Sequence, residues 1–386
     1  MKRSTDRILT THVGSLPRLE ALVPLLVAKE EGKPYDHDEF TRVATDAIVD
    51  VVKRQHAAGV DVVSDGEAPK IGYSTYINDR LSGFGGETPG RLNLDLAPYP
   101  EYSKRMRLMA GTSAMKRLAC IGPVALKDKE AAGRDIALYK QALNRADSEG
   151  AQPVDAFMNA VSPGTVSSFQ QNQYYKTHEQ YIEAIAEAMT PEYEAIAAAG
   201  FVLQVDCPDM AMSRHTGFQD LTDEEFLARA EMQVEALNHA LRNVPAEQCR
   251  LHICWGNYEG PHDHDIPLER IHHLLMKAKP AGLSFEAANP RHGHEWTVWK
   301  EKGLNDDKVL LPGVLDTSTN FIEHPELVAQ RLVRLAEIVG KERVIASTDC
   351  GFGTFAGTNK VDTGIAYRKM EAMAEGARLA SERLWH

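Results

Sequence analysis

Nine short apolar runs alternate with amphipathic stretches along this chain, and that alternation restricts the fold more than any other feature of the sequence. The runs are rich in Val, Ile and Leu and end in polar, Gly or Pro residues. They fall at 8–15, 60–67, 118–124, 157–162, 201–206, 250–255, 283–287, 309–315 and 344–349. Helical periodicity marks 41–58, 179–199, 223–242, 325–339 and 365–384. Strand and helix taking turns in one chain predict a parallel sheet covered by helices. With 118–124 set aside as a hairpin or barrel-bottom element, eight strands remain, the number of a closed (β/α)8 TIM barrel. The expected class is therefore α/β, with residues 1–386 forming one barrel domain. An open doubly wound sheet is the rival, and the lack of a GxGxxG opening any helix weakens its dinucleotide-binding form. Residues 68–117, rich in Gly, Pro, Tyr and Arg, break the rhythm and predict an inserted loop or hairpin.

Composition bounds the partners. A formal charge of -12 argues against nucleic acid and against an anionic membrane surface. No apolar run approaches the roughly 20 residues of a membrane helix, and the opening MKRSTDRILTTHVGS has no apolar core of a secretory signal. A cytoplasmic chain is the resulting expectation. Its cysteines, Cys120, Cys207, Cys249, Cys254 and Cys350, are odd in number and scattered. In a reducing compartment such residues are packed or bind metal more often than they form disulfides.

Polar residues collect where the proposed strands end: His12, Gly14 and Ser15; Asp65, Gly66 and Glu67; Asp206 and Asp209; His252 and Cys254; Glu286; Asp316; Asp349 and Cys350. In a barrel this is the catalytic rim. Residues two apart on a strand share a face, so His252 and Cys254 can meet one ion while Ile253 points to the helices. Cys350, at another strand end, can add a third ligand. Two thiolates and one imidazole suit zinc, and three protein ligands leave a position for substrate. The pair alone reads more plainly as a packed cysteine beside a hydrogen-bonded histidine. The remote Cys350, and Glu286 set in an apolar run where a carboxylate needs a partner, shift the balance. A buried salt bridge from Glu286 to Arg291 is the plainer alternative for that carboxylate.

These segments resemble the C-terminal catalytic barrel of cobalamin-independent methionine synthases. THVGSLPR is similar to the family's Gly-Ser-Pro strand, whose backbone holds the amino acid portion of homocysteine, and this implies substrate contacts at Gly14 and Ser15. SDGE is similar to the Gly-Glu strand and makes Glu67 a contact to the substrate amino group. LQVDCPD gives Asp206 a similar role. LHIC resembles the family's zinc pair, SFE its zinc-proximal glutamate, Glu286, and STDCG its final zinc cysteine, Cys350. The likeness runs in order from about residue 8 to residue 355. It implies a zinc-dependent S-alkyltransferase, transferring a methyl group to homocysteine or a close analogue, with small-molecule partners. Oligomeric state stays open.

The departures concern the alkyl donor. The family's N-terminal half is absent. Its folate tryptophan has no counterpart, and AVSPGTVSSFQQNQYY offers Phe169 instead. Where its histidine acid follows a PGVYD strand, PGVLDTSTN places Ser318, and Cys207 replaces a glutamate in the fifth-strand motif. The loops YEGPHDH and NPRHGHEW are prominent. Their plain reading is solvated loop. Their functional reading is His292 or His294 as a general acid and Arg291 as a grip on a carboxylate or sulfonate. This chain is also similar to epoxyalkane:coenzyme M transferase, which implies an epoxide or other non-folate donor and a thiol such as coenzyme M. A metal-free barrel lyase or decarboxylase is a third reading.

Overall fold

The computed structural model describes residues 1–86, 88, 92–109, 118–358 and 360–386. Ten strands follow in chain order: β1 Val62–Ser64, β2 Phe84–Gly85, β3 Ala119–Cys120, β4 Asp155–Val161, β5 Gln171–Asn172, β6 Val202–Asp206, β7 Cys249–His252, β8 Gly282–Phe285, β9 Val309–Leu315 and β10 Ser347–Thr348. Seven of them form one parallel sheet in the order β1-β4-β6-β7-β8-β9-β10.

The sheet closes through the segment around Thr10. Thr10 bridges Ala346 in parallel, and Thr11 N donates to Ala346 O at 2.8 Å. On the other side Val62 N donates to Thr10 O at 3.0 Å. The segment is thus the eighth stave between β10 and β1, and the fold is the expected (β/α)8 barrel. It is shorter than the expected strand at 8–15, because the chain turns away at Gly14 (φ +130°) toward the rim. The run at 118–124 lies outside the barrel: β3 pairs antiparallel with β2 and parallel with β5 in a small separate sheet. Within the expected insertion 68–117, residues 87, 89–91 and 110–117 lie outside the described residues. The rest holds a one-turn helix at Ile77–Arg80, β2, a short helical turn at Leu94–Leu96 and a helix at Pro100–Met109.

The covering helices start where local chemistry satisfies their free N–H groups. Asp36 accepts from Asp38 N and Glu39 N to begin His37–Ala57, and Thr222 with Glu225 forms a reciprocal cap on Asp223–Ala240. Pro325 opens Pro325–Val339, where a missing N–H costs nothing. The expected helices at 41–58, 179–199, 223–242, 325–339 and 365–384 are therefore present, shifted by at most a few residues at their ends. Their apolar faces and the outward strand residues share one large core, in which Trp255, Trp299 and Phe226 are wholly buried.

The barrel interior is polar in its middle. The guanidinium of Arg250 lies 3.7 Å over the Phe157 ring and donates to Gln204 Oε1, Thr11 Oγ1 and His12 O. Each of its three nitrogens thus has an acceptor, and the ring face of Phe157 covers the group.

Candidate functional site

The site is built at the C-terminal ends of the strands. His252 is the last residue of β7 and pairs in register with Asp206, the last residue of β6. Cys254 follows two residues on, past the strand end rather than within it. Cys350 lies two residues past β10 and Glu286 one residue past β8. Strand order therefore brings together four side chains separated by up to about a hundred positions in sequence.

Their donor atoms converge. Cys254 Sγ and Cys350 Sγ are 3.1 Å apart, and Cys350 Sγ is 3.7 Å from His252 Nε2 and 3.6 Å from Glu286 Oε1. One ligand atom from each of His252, Cys254 and Cys350 lies within 4.8 Å of the others, so the three can hold a single metal ion. All three are buried, and His252 Nδ1 has no hydrogen-bond partner. Burial lowers His252 to about 4, which keeps the ring neutral and able to ligate. The Cys254 thiol is pulled below its ordinary value by a hydrogen bond from Cys350, whose own thiol is pushed well above by that contact and by burial. Two sulfurs this close cannot both be thiolates unless a cation lies between them.

Glu286 is held in place from behind. Its Oε1 accepts from Trp255 N at 2.8 Å and its Oε2 from Asn289 Nδ2 at 2.7 Å. Asp349 fixes the same loop by accepting from Ala287 N, Ala288 N and Asn289 N. Burial, and then the nearby Cys254, raise Glu286 well above a normal carboxylate. The alternative salt bridge from Glu286 to Arg291 is not formed; Arg291 is exposed.

The three ligand residues open onto a cavity of about 300 Å³. On its floor stand Ser15, Glu67 and Asp206, and Phe169 stands on its wall with Tyr73 and Phe355. The Tyr73 ring meets Phe169 edge-on at 6.1 Å and Phe355 at 5.8 Å. Glu67 Oε2 is buried without a hydrogen bond, and Arg18 Nη2 is 3.8 Å away. Burial raises Glu67 to about 8, offset in part by Arg18 and reinforced by the charge of Asp206. Asp206, also raised by burial, accepts from Asn159 Nδ2 at 3.0 Å and Gln204 Nε2 at 2.8 Å. Two buried carboxylates face one cavity, one of them with an oxygen that accepts no hydrogen bond, an arrangement able to accept N–H donors of a cation.

Glu67 also carries backbone strain. Its φ is +54°, a left-handed value that costs a residue with a Cβ about 1–2 kcal/mol. Glu67→Gly relieves both that strain and the buried lone carboxylate. The expected result is a rise in Tm of several degrees, read by differential scanning calorimetry, with ligand binding lost.

Gly14 does not line the cavity. A Cβ there would stand 2.2 Å from Asn159 Oδ1, so its role is to let the first strand pack against the side chain that orients Asp206. Arg291, exposed, lies on a second cavity of about 550 Å³ that reaches Glu286 and Cys350 from another side. His294 is exposed, and His292 faces away from both cavities. The His292 ring stacks on Trp255 with centroids 4.1 Å apart, and its nitrogens are taken by Glu295 Oε2 at 2.8 Å and Asp265 Oδ2 at 2.9 Å. The chain geometry thus gives neither histidine a place at the reacting atoms.

Sequence reasoning missed Tyr73, Asn159, Arg18 and Asn257. Arg18 donates to Leu16 O, Gly353 O and Lys70 O, tying three rim loops together beside Glu67. Asn257 Nδ2 donates to Gly351 O and Thr354 Oγ1. Asn159 carried a signal, a polar side chain amid the apolar run of β4. Tyr73 lies in the irregular segment 68–117, where no periodicity marks an inward residue.

A parallel barrel with a histidine and two cysteines gathered at its rim beside an acidic cavity defines the class, a barrel enzyme with residues able to hold a metal at its rim. Residues 122–376 match the family described as the cobalamin-independent synthase, catalytic domain. The chain belongs to that family and is a methionine-synthase-like transferase. It is 24% identical to a methionine synthase of Saccharolobus solfataricus, over 97% of this chain and 95% of that protein. Its fold is similar to a B12-independent methionine synthase from Shewanella sp. W3-18-1, solved with selenomethionine (TM-score 0.71, 18% identity, 98% and 99% of the two chains). It is also similar to a B12-independent methionine synthase from Listeria monocytogenes, so far described as putative (TM-score 0.65, 17% identity, 98% and 99%).

Proposed function

We propose that this chain, acting over residues 1–386 as one catalytic unit, transfers a methyl group to the thiol of homocysteine or a close amino thiol, with zinc held by His252, Cys254 and Cys350. The observation that carries this reading is a single cavity with three metal-ligating residues at one end and two buried carboxylates, Glu67 and Asp206, beside them.

The donor set fits the ion. Tetrahedral zinc spaces a sulfur and a nitrogen ligand about 3.6 Å apart and two sulfurs about 3.8 Å apart. The Cys350–His252 separation is 3.7 Å, while the sulfur pair, at 3.1 Å, has to open by some tenths of an ångström. When bound, zinc supplies a positive centre that lowers a thiol's pKa and keeps its sulfur nucleophilic near neutral pH. Glu67 and Asp206 hold the substrate ammonium, and Ser15 stands beside them to meet its carboxylate. Glu286, whose carboxyl burial pushes well above its ordinary value, stands beside the ligand sulfurs, 3.6 Å from Cys350 Sγ, where it can exchange a proton with a thiol arriving there. The substrate thiolate uses one electron pair to form the new S–C bond as the donor's carbon–leaving-group bond breaks and that pair departs with the leaving group. Phe169, where the family has its folate tryptophan, and the aromatic pair behind it face the donor.

The carboxylates also select between thiols. Coenzyme M carries a sulfonate and no ammonium, so it meets like charge where homocysteine finds a partner. The Arg291 side chain that was expected to grip such an anion lies on the other cavity. The test is metal analysis together with proton release on adding each thiol. We expect one zinc per chain that is lost in Cys350→Ser, and homocysteine binding at least about tenfold tighter than coenzyme M. Equal affinity for the two thiols sinks the choice of substrate. Absence of a metal that depends on Cys350 sinks the mechanism and favours the metal-free lyase reading.

A further inference from the structure

The two peptide groups that follow Cys254 are each held on one side and spent on the site on the other. In the first, Cys254 O accepts from Met212 N at 3.0 Å, while Trp255 N donates to Glu286 Oε1 at 2.8 Å. In the second, Trp255 O accepts from His215 Nε2 at 2.8 Å, while Gly256 N donates to Cys254 Sγ at 3.2 Å. Both anchors come from the segment after β6, where Met212 precedes the short helix Ser213–Thr216 that carries His215. The reaction described above gives His215 no task.

The His215 ring is wholly buried and lies between two buried carboxylates. Asp95 Oδ2 is 3.2 Å from its Nδ1, and Asp265 Oδ1 is 3.4 Å from its Nε2. Other bonds fix those carboxylates in turn. Asp95 accepts from Tyr258 OH at 2.5 Å and from His264 N at 2.9 Å, and Asp265 accepts from His262 Nδ1 and His292 Nε2, both at 2.9 Å. One nitrogen of His215 faces a carbonyl and the other a carboxylate. Neither of those groups donates, so both ring nitrogens carry protons. Burial opposes the resulting charge and the two aspartates outweigh it, which holds the ring above its ordinary value. His215 is therefore a fixed imidazolium.

A cation on the oxygen of a peptide group polarises it and makes its N–H a stronger donor. We propose that, with zinc held as read above, His215 is a positioning residue for the metal site: it acts through the Trp255–Gly256 peptide to aim and strengthen the N–H that Cys254 Sγ accepts. An N–H given to a ligand thiolate draws charge from the sulfur, which leaves the ion a stronger acid toward an incoming thiol. Asp95 belongs to the insertion and lies two residues after Asn93, which lines the substrate cavity. The same imidazolium thus ties that cavity wall to the ligand sulfur.

Two substitutions separate the ring nitrogens. The amide nitrogen of Gln stands near the place of Nε2 and can keep the bond to Trp255 O; that of Asn stands near the place of Nδ1 and cannot reach it. Zinc affinity of the full chain is measured by competition with a chromophoric chelator, and Co2+ in the same site reports on the sulfurs through their charge-transfer band. His215→Asn should weaken zinc binding at least about tenfold and move the band to lower energy, since a thiolate that loses a hydrogen bond gives up an electron more easily. His215→Gln should stay within about threefold of the unmodified chain, with the band in place. Circular dichroism checks that each variant is folded. Unchanged affinity and band in His215→Asn overturn the proposal. So does an equal loss in both variants, or lost affinity with an unmoved band, the marks of a packing role. If His215→Asn does not fold, the unmodified chain loaded with spin-active Cd2+ carries the test: scalar coupling between the metal and the Gly256 amide proton is expected, and its absence overturns the proposal. Cys350→Ser keeps the two possible failures apart. Zinc lost there but unchanged in His215→Asn rejects the role of His215 alone; zinc unchanged there rejects the metal reading, and this role with it.

Discussion

Cys350→Ser is expected to lower kcat/KM for thiol methylation by about 10³-fold or more while leaving Tm within a few degrees of the parent chain. A free thiol near pKa 8.5 is only about 3% thiolate at pH 7, so losing the ion's effect on that pKa costs about 30-fold. Losing the fixed position of the sulfur costs at least as much again. The side chain is buried but small, and serine fills nearly the same volume, so packing is largely kept. The measurement is a steady-state assay with homocysteine and a methyl donor, alongside zinc content by mass spectrometry. Retention of both activity and zinc would falsify the ligand assignment. Removing zinc from the unmodified chain with a chelator should reproduce the same loss, and re-addition should restore it.

The second large effect concerns Glu67. With its proton held until about pH 8, this carboxyl is mostly neutral at pH 7 in the empty site. An ammonium ligand favours the ionised form, so binding expels the proton and affinity rises with pH. Methionine, which has no thiol to titrate, isolates this group: its affinity should rise about tenfold per pH unit between roughly pH 6 and 7.5. Glu67→Gln should flatten the profile and weaken binding by about 10- to 100-fold at pH 7.5, since a charge-assisted bond is lost. Isothermal titration calorimetry in buffers of different ionisation enthalpy counts the proton directly. The linkage for folding has the opposite slope. An acid whose folded value lies above its unfolded value of 4.5 binds more protons when folded. Stability therefore falls as pH rises from about 4.5 to 8, and bound substrate offsets that loss.

Most of the barrel was legible because each buried strand is a compact apolar run and each helix keeps its 3.6-residue period. The rim was legible because polar residues such as Asp206 and His252 end those runs, where apolar ones would otherwise stand. The family likeness then assigned roles that spacing alone left open. What failed to show had a physical reason in each case. Gly14 looks like a backbone contact, yet its lack of a Cβ matters through Asn159, a neighbour 145 positions later in sequence whose approach no local pattern encodes. The dense run around Arg291, His292 and His294 suggested an acid and an anion grip. Only the fold reveals that the β8 loop turns His292 under Trp255, into a carboxylate cluster. Tyr73 was invisible because an irregular segment has no period from which an inward face can be read.

The closing stave has a consequence for how the molecule matures. Thr10 pairs with Ala346, and the loop holding Cys350 follows at once. A nascent chain that has not yet released this stretch from the ribosome lacks both the last seam of the cylinder and the third ligand. On the proposed reading, the cation would therefore be acquired only late in synthesis, once both cysteines have been brought to the same rim.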